Sequence, residues 1–338
     1  MADLKTKFMG IDVKNPIVVG ACNLSQNPDT LIQLEKAGAS AIVYKSLFEE
    51  QIQYERVQMN EDLHEFDDRH AEMTSSIHPK IEHAGPREHL LELKKAREAL
   101  SIPLIGSLNA VYKETWVEYA KLIQDTGVDG LELNFYAVPK DTDADAAKLE
   151  SHQIEILKAV KEVITIPVGV KLGPFYSNPL HVTAKMDEIG VNGYVLFNRL
   201  FQPDIDVESE QHVFPFYLSR EGDYRLSLRF TGMLYKHIKG NICSNTGIYR
   251  GGDVAKMILA GADSVQVVSA LYKNKPAHIS TMLAELESWM ESKSYKSIEE
   301  FQGKLSRASS SDPFAYSRAQ YVDILMKPES ILKKYPIS

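Results

Sequence analysis

NICSNTGIYRGGDVAKMILAGADSVQVVS, residues 241–269, decides how the rest of the chain is read. NICSNTG (241–247) is a short strand-like run ending in a Gly-containing turn. RGGDVAKMILAGA has helical spacing, and DSVQVVS (263–269) is a second strand-like run. Runs that are apolar on both faces are what parallel strands covered by helices look like. The distance from NTG to VVS leaves room for one helix. Gly247 would let backbone approach a ligand closely, Gly251 and Gly252 loosen the next turn, and Asp253 is placed to cap the helix. In barrels the loops after strands seven and eight often hold a phosphate through backbone N–H groups. A plain Gly-rich turn is the alternative.

Working outward, similar runs precede this unit: PIVVG (16–20), SAIVYKS (40–46), IPLIGSLN (102–109), DGLELNF (129–135), IPVGVKL (166–172) and GYVLFN (193–198). Amphipathic stretches separate them, several ending in Gly, which accepts the left-handed conformation past a helix end. Eight strand–helix units predict an α/β fold, a (β/α)8 TIM barrel. A doubly wound sheet is the runner-up, but no G-x-G-x-x-G turn follows an early strand. Two irregular insertions, 48–84 and 199–224, follow strands and so belong to the C-terminal face, as lids over a site. The barrel is expected over residues 1–305. A helical tail follows, through ISTMLAELESWMESK and SIEEFQGKL into an extension over 306–338, whose SSSDP hinge would let the last residues pack elsewhere, such as on a second subunit.

Composition narrows the function. The chain has 338 residues, a net charge of −8, and only Cys22 and Cys243. A broad nucleic-acid surface does not fit that charge. Neither cysteine has C-x-x-C spacing, so both are expected reduced. No signal-length apolar segment opens the chain, and no run reaches membrane-spanning length. No H-E-x-x-H or similar metal spacing occurs. A cytoplasmic enzyme acting on a small molecule is the expectation.

Polar residues end nearly every strand: Lys45 and Ser46, Asn109, Asn134, Lys171, Asn198, Asn245 with Thr246 and Gly247, and Ser269. Lys171 admits two readings. It could form a Schiff base, as in aldolase-type barrels, or stay charged and stabilise negative charge on a cofactor. Its neighbours in sequence do not choose.

The order and spacing of NPIVVGA, IVYKS, LELN, VGVKLGP, LFN, NTGI, GADSVQVVSAL and SYKSIEEFQGKL resemble one family, the FMN-dependent dihydroorotate dehydrogenases, particularly the soluble class 1 enzymes. The likeness spans roughly residues 5–305. It implies FMN across the barrel mouth. Thr246, Gly247, Val268 and Ser269 would meet its phosphate, and Ala21, Lys45 and Ser46 would line the isoalloxazine. Lys171 would stabilise the reduced ring, and Asn134 and Asn198 would contact flavin or substrate. Homodimerisation and an iron–sulfur electron-transfer subunit are further implications.

The likeness also has gaps. The family's loop after the fourth strand carries a Cys or Ser base, where this chain reads Asn134, Phe135, Tyr136, Ala137, Val138, Pro139. Ala137 stands at the Cys position. The family's second loop asparagine falls on Pro139, and its Asn-rich substrate loop is not recognisable within 48–84. Tyr136 is the nearby proton donor. A phenol of ordinary pKa, about 10, is a better acid than base at neutral pH. Tyr136 and Lys45 are therefore the expected catalytic residues. Reduction of an activated C=C bond is as open as dihydroorotate oxidation. His64, His70, His78 and His83 are alternative bases. The other readings are a lyase or aldolase using Lys171 on a phosphorylated metabolite, and a non-catalytic flavin-binding relative.

Overall fold

Strand formation follows the eight apolar runs closely. The computed structural model describes residues 2–55, 85–135, 142–199 and 202–311, with scattered positions from 315 to 336. Its strands are β1 (Thr6–Phe8), β2 (Ile11–Val13), β3 (Ile17–Val19), β4 (Ala41–Val43), β5 (Leu47–Phe48), β6 (Leu104–Asn109), β7 (Gly130–Phe135), β8 (Val168–Leu172), β9 (Gly193–Leu196), β10 (Asp204–Asp206), β11 (Gln211–Val213), β12 (Asn241–Ser244) and β13 (Ser264–Val267). Eight are parallel neighbours in the order β3, β4, β6, β7, β8, β9, β12, β13, and β13 pairs with β3 again, closing a barrel. The (β/α)8 expectation holds, and the open-sheet alternative falls.

Alternating residues show why both faces must be apolar. Val18 of β3 joins Ala41, Val43, Ile105 and Val195 in one buried cluster, while its neighbours Ile17 and Val19 join the larger cluster that includes helix residues such as Leu31 and Leu34. The β1–β2 hairpin contributes Phe8 and Met9 to the smaller cluster. Gly169 and Gly193 make room for this plug, because a Cβ at either would lie within 3.0 Å of Met9. Capping sets helix starts. The Asn27 side chain accepts from Thr30 N–H and the Asn178 side chain from His181 N–H, each just before a proline that opens its helix.

Three local expectations are corrected. Residues 49–55, read as loop, are helical, and the buried Glu49 carboxylate ties this turn to Val111 N–H and Thr115 Oγ1. The 199–224 excursion is not wholly irregular, since β10 and β11 pair as an antiparallel hairpin. The SIEEFQGKL segment is not a helix beyond the short 3₁₀ turn Ile298–Glu300. There Gly303 takes φ 67°, and its N–H and that of Leu305 donate to Ile258 and Leu259 carbonyls. Docking onto the helix Gly251–Ala260 thus replaces further helical bonds. At 315–316 the chain lies on its own barrel: Arg229 donates to the Tyr316 carbonyl at 2.8 Å, and Tyr316 Oη donates to the Leu305 carbonyl at 2.6 Å.

Candidate active site at the barrel mouth

The strand-end residues converge because parallel strands deliver their C-terminal ends to one face. Ala21, Lys45, Ser46, Lys171, Asn198, Thr246, Gly247, Val268 and Ser269 all line one cavity of about 250 Å³. Asn134 is outside that lining but touches it, since its Oδ1 accepts a 3.0 Å hydrogen bond from Asn198 Nδ2. Cys22, Gln266 and Tyr272 share the wall. Burial pushes the Cys22 thiol pKa up, against a smaller pull from the Lys171 charge.

Backbone geometry marks one corner. Thr246 and Gly247 take φ 75° and 70°, and a Cβ at Gly247 would meet the Arg220 carbonyl and Asp223. Thr246 is held in this uncommon conformation by two bonds, N–H to Asn245 Oδ1 at 2.7 Å and Oγ1 to the Phe197 carbonyl at 3.1 Å. Gly247 N–H donates to Ser219 Oγ at 3.2 Å, and Ser219 N–H to Ser269 Oγ at 3.0 Å. Asp253 caps the following helix from its third residue rather than its first: Oδ2 accepts from Tyr249 and Arg250 N–H at 3.2 Å.

The floor is charged yet closed. Lys171 Nζ donates to Gln266 Oε1 at 3.2 Å and lies 3.8 Å from Glu132 Oε1. Gln266 Nε2 donates to the other oxygen of Glu132. All three residues are buried, Glu132 completely. Across the mouth, Lys45 Nζ donates to Gln26 Oε1 at 3.1 Å, and Gln26 donates on to Glu92. Ser46 and Ser107 share a 2.7 Å hydroxyl contact. Behind β4, His89 meets Tyr44 edge-on at 5.4 Å; burial, assisted by the Lys45 charge, pushes the His89 imidazole down to about 4.

A second, more open cavity of about 570 Å³ adjoins the first and shares Asn198, Arg199, Tyr217, Asn245 and Thr246 with it. Arg199, paired to Asp223 at 2.9 Å, stands on the shared wall. Asp204, the first residue of the β10–β11 hairpin, also lines this cavity, and after the hairpin Phe214 and Phe216 are exposed.

Tyr136, Ala137, Pro139, His64, His70, His78 and His83 lie outside the described residues. Sequence reading missed Glu132, Cys22, Ser219, Gln266 and Tyr272. Glu132 and Gln266 carried a signal, being polar within otherwise apolar buried strands. Ser219 carried none, because it reaches Gly247 from an excursion without periodicity.

A closed barrel whose mouth gathers two lysines, an amide pair and a tight hydroxyl-lined turn has the build of a small-molecule site in a ligand-holding barrel. The sequence model for dihydroorotate dehydrogenase matches residues 79–290, well over half of the chain. The chain therefore belongs to the dihydroorotate dehydrogenase family. It is similar to the protein named dihydroorotate dehydrogenase B (NAD(+)), catalytic subunit, of Thermoplasma volcanium, with 28% identity over 314 residues, covering 90% of this chain and 98% of the relative. The protein of the same name from Methanocaldococcus jannaschii is 26% identical over 278 residues, covering 80% and 87%.

Proposed function

We propose that this protein is an FMN-dependent oxidoreductase acting on a CH–CH or C=C bond, with dihydroorotate as the first substrate to test. One observation carries the reading: in a chain of this family, eight of the nine residues expected to hold FMN line a single cavity, and the ninth is hydrogen-bonded to its wall. The donor set fits the group. Ser269 Oγ accepts from both Ser219 N–H and Ser219 Oγ, which leaves its own hydroxyl proton as a donor that a phosphate could engage. Lys45 and Lys171 bring positive charge to the other end. When bound, FMN would supply two-electron chemistry at the mouth.

The chain's own residues then hold and orient. Lys171 favours negative charge over the floor. Asn134 and Asn198 present linked amides to flavin or substrate. Tyr136 is assigned as proton donor, because Ala137 can neither take nor give a proton, and Lys45 is assigned as the second catalytic residue. This division favours C=C reduction as strongly as dihydroorotate oxidation. The aldolase reading is weaker, since a Lys171 drawn between Gln266 and Glu132 is not free to attack a carbonyl.

The assignment extends to assembly. We place the catalytic barrel at 1–305 and an extension at 306–338, and assign a cytoplasmic homodimer. With only Cys22 and Cys243 in the chain, an iron–sulfur cluster would have to come from another subunit. No helix among the described residues is long and apolar enough to cross a membrane.

The test is an absorption spectrum of the purified protein, followed by anaerobic dihydroorotate. A flavin band that bleaches supports the proposal in full. A band that stays oxidised moves the search to C=C acceptors. No flavin after reconstitution with FMN removes the assignment.

A further inference from the structure

Glu132 is a carboxylate where a barrel of this kind needs none for packing. It lies on β7, fully buried, with its side chain turned toward Lys171 and Gln266. Its Oε1 has no hydrogen-bond partner among the described residues and faces Lys171 Nζ at 3.8 Å. Gln266 bridges the two, donating to Glu132 and accepting from Lys171 at 3.2 Å. Lys171 and Gln266 both line the cavity, whereas Glu132 does not. An unpaired buried carboxylate would be costly, and a buried pair interacts far more strongly than one in water.

We propose that Glu132 is a positioning residue that sets the redox potential of the flavin through Lys171. The inference rests on the FMN reading above. With Glu132 ionised, the floor carries no net charge, so Lys171 favours a reduced, negatively charged ring less than a lone ammonium would. The amide of Gln266 fixes the distance between the two charges. Glu132 touches neither flavin nor substrate in this arrangement; it acts only by compensating the lysine.

The experiment is the midpoint potential of FMN bound to the full-length protein, measured by dye-coupled reductive titration with unliganded wild type as reference. Glu132→Gln keeps the shape and removes the charge. It should raise the ratio of reduced to oxidised FMN affinity at least tenfold, which is about 30 mV for a two-electron couple. Glu132→Asp should remain within threefold of wild type. In a Lys171→Met background the unpaired buried carboxylate is neutralised by taking up a proton, so Glu132→Gln should then shift the ratio by less than threefold. A purely structural role would move flavin content and thermal stability without this dependence on Lys171. If Glu132→Gln does not fold, Gln266→Leu takes its place and should shift the affinity ratio by at least threefold, because the distance between the two charges is then no longer fixed. A wild-type potential in the folded charge-removing or bridge-removing variant overturns the inference while leaving FMN binding intact. A wild-type protein that takes up no FMN overturns the functional reading and this inference together.

Discussion

The floor of the mouth and the hairpin at its rim are built from opposite materials. On the floor, Glu132, Lys171 and Gln266 are buried and bonded to one another, each delivered by a different barrel strand or strand end. On the rim, β10 and β11 are exposed along their whole length and, among the described residues, pair only with each other. Floor residues are therefore fixed from several directions at once, and rim residues from one. Chemistry that depends on charge placement belongs on the first kind of surface. Selection of what enters can sit on the second, where change costs little.

The comparison breaks most visibly at Lys171. Lys171→Met strands the Glu132 carboxylate in the interior, and we expect about 3–5 kcal/mol lost in urea unfolding at pH 7. A loss below about 1 kcal/mol would put the floor on the rim's footing.

His89, one layer behind Lys45, should show the next largest effect. Its imidazole is held down to about 4 by burial and the nearby Lys45 charge, whereas an unfolded histidine titrates near 6.5. The unfolded chain therefore binds the extra proton first. Stability from a neutral His89 is fully present above about pH 6.5 and is lost as pH falls toward about 4. We expect wild type to lose about 2 kcal/mol more than His89→Leu between pH 7 and pH 4.5. Parallel pH profiles for the two proteins would reject this.

Gly247→Ala tests the corner between floor and rim. With φ 70° and the Arg220 carbonyl in the way of a Cβ, the variant should lose about 1–3 kcal/mol and should co-purify with less flavin. Normal flavin content would remove this turn from the phosphate assignment. Smallest of all, Phe214→Ser on the exposed rim should leave stability within about 0.5 kcal/mol, as read by thermal melting. A larger loss would mean that the hairpin is tied to the barrel more tightly than its exposure shows.

Legibility followed the same division. The eight runs, the closed barrel and the lysines and asparagines at the strand ends could be read because periodicity and punctuation are local. The helix at 49–55 escaped because its polar sequence hides one buried anchor, Glu49, whose partners Val111 and Thr115 are distant in sequence. SIEEFQGKL looked helical by pattern, but its backbone donors found Ile258 and Leu259 instead. Asp253 was read as a cap and is one, though from inside the first turn.

By itself the sequence determined the barrel, the family resemblance and the residues gathered at the mouth, because a strand's end and its polar terminus are written in consecutive letters. Only the tertiary structure decided that Lys171 is compensated. Glu132 and Gln266 lie on other strands, 39 residues before and 95 after it by their numbering, and parallel register alone brings their side chains under one cavity. A charge's effect depends on what surrounds it in space, and that is fixed by closure of the barrel rather than by any local pattern.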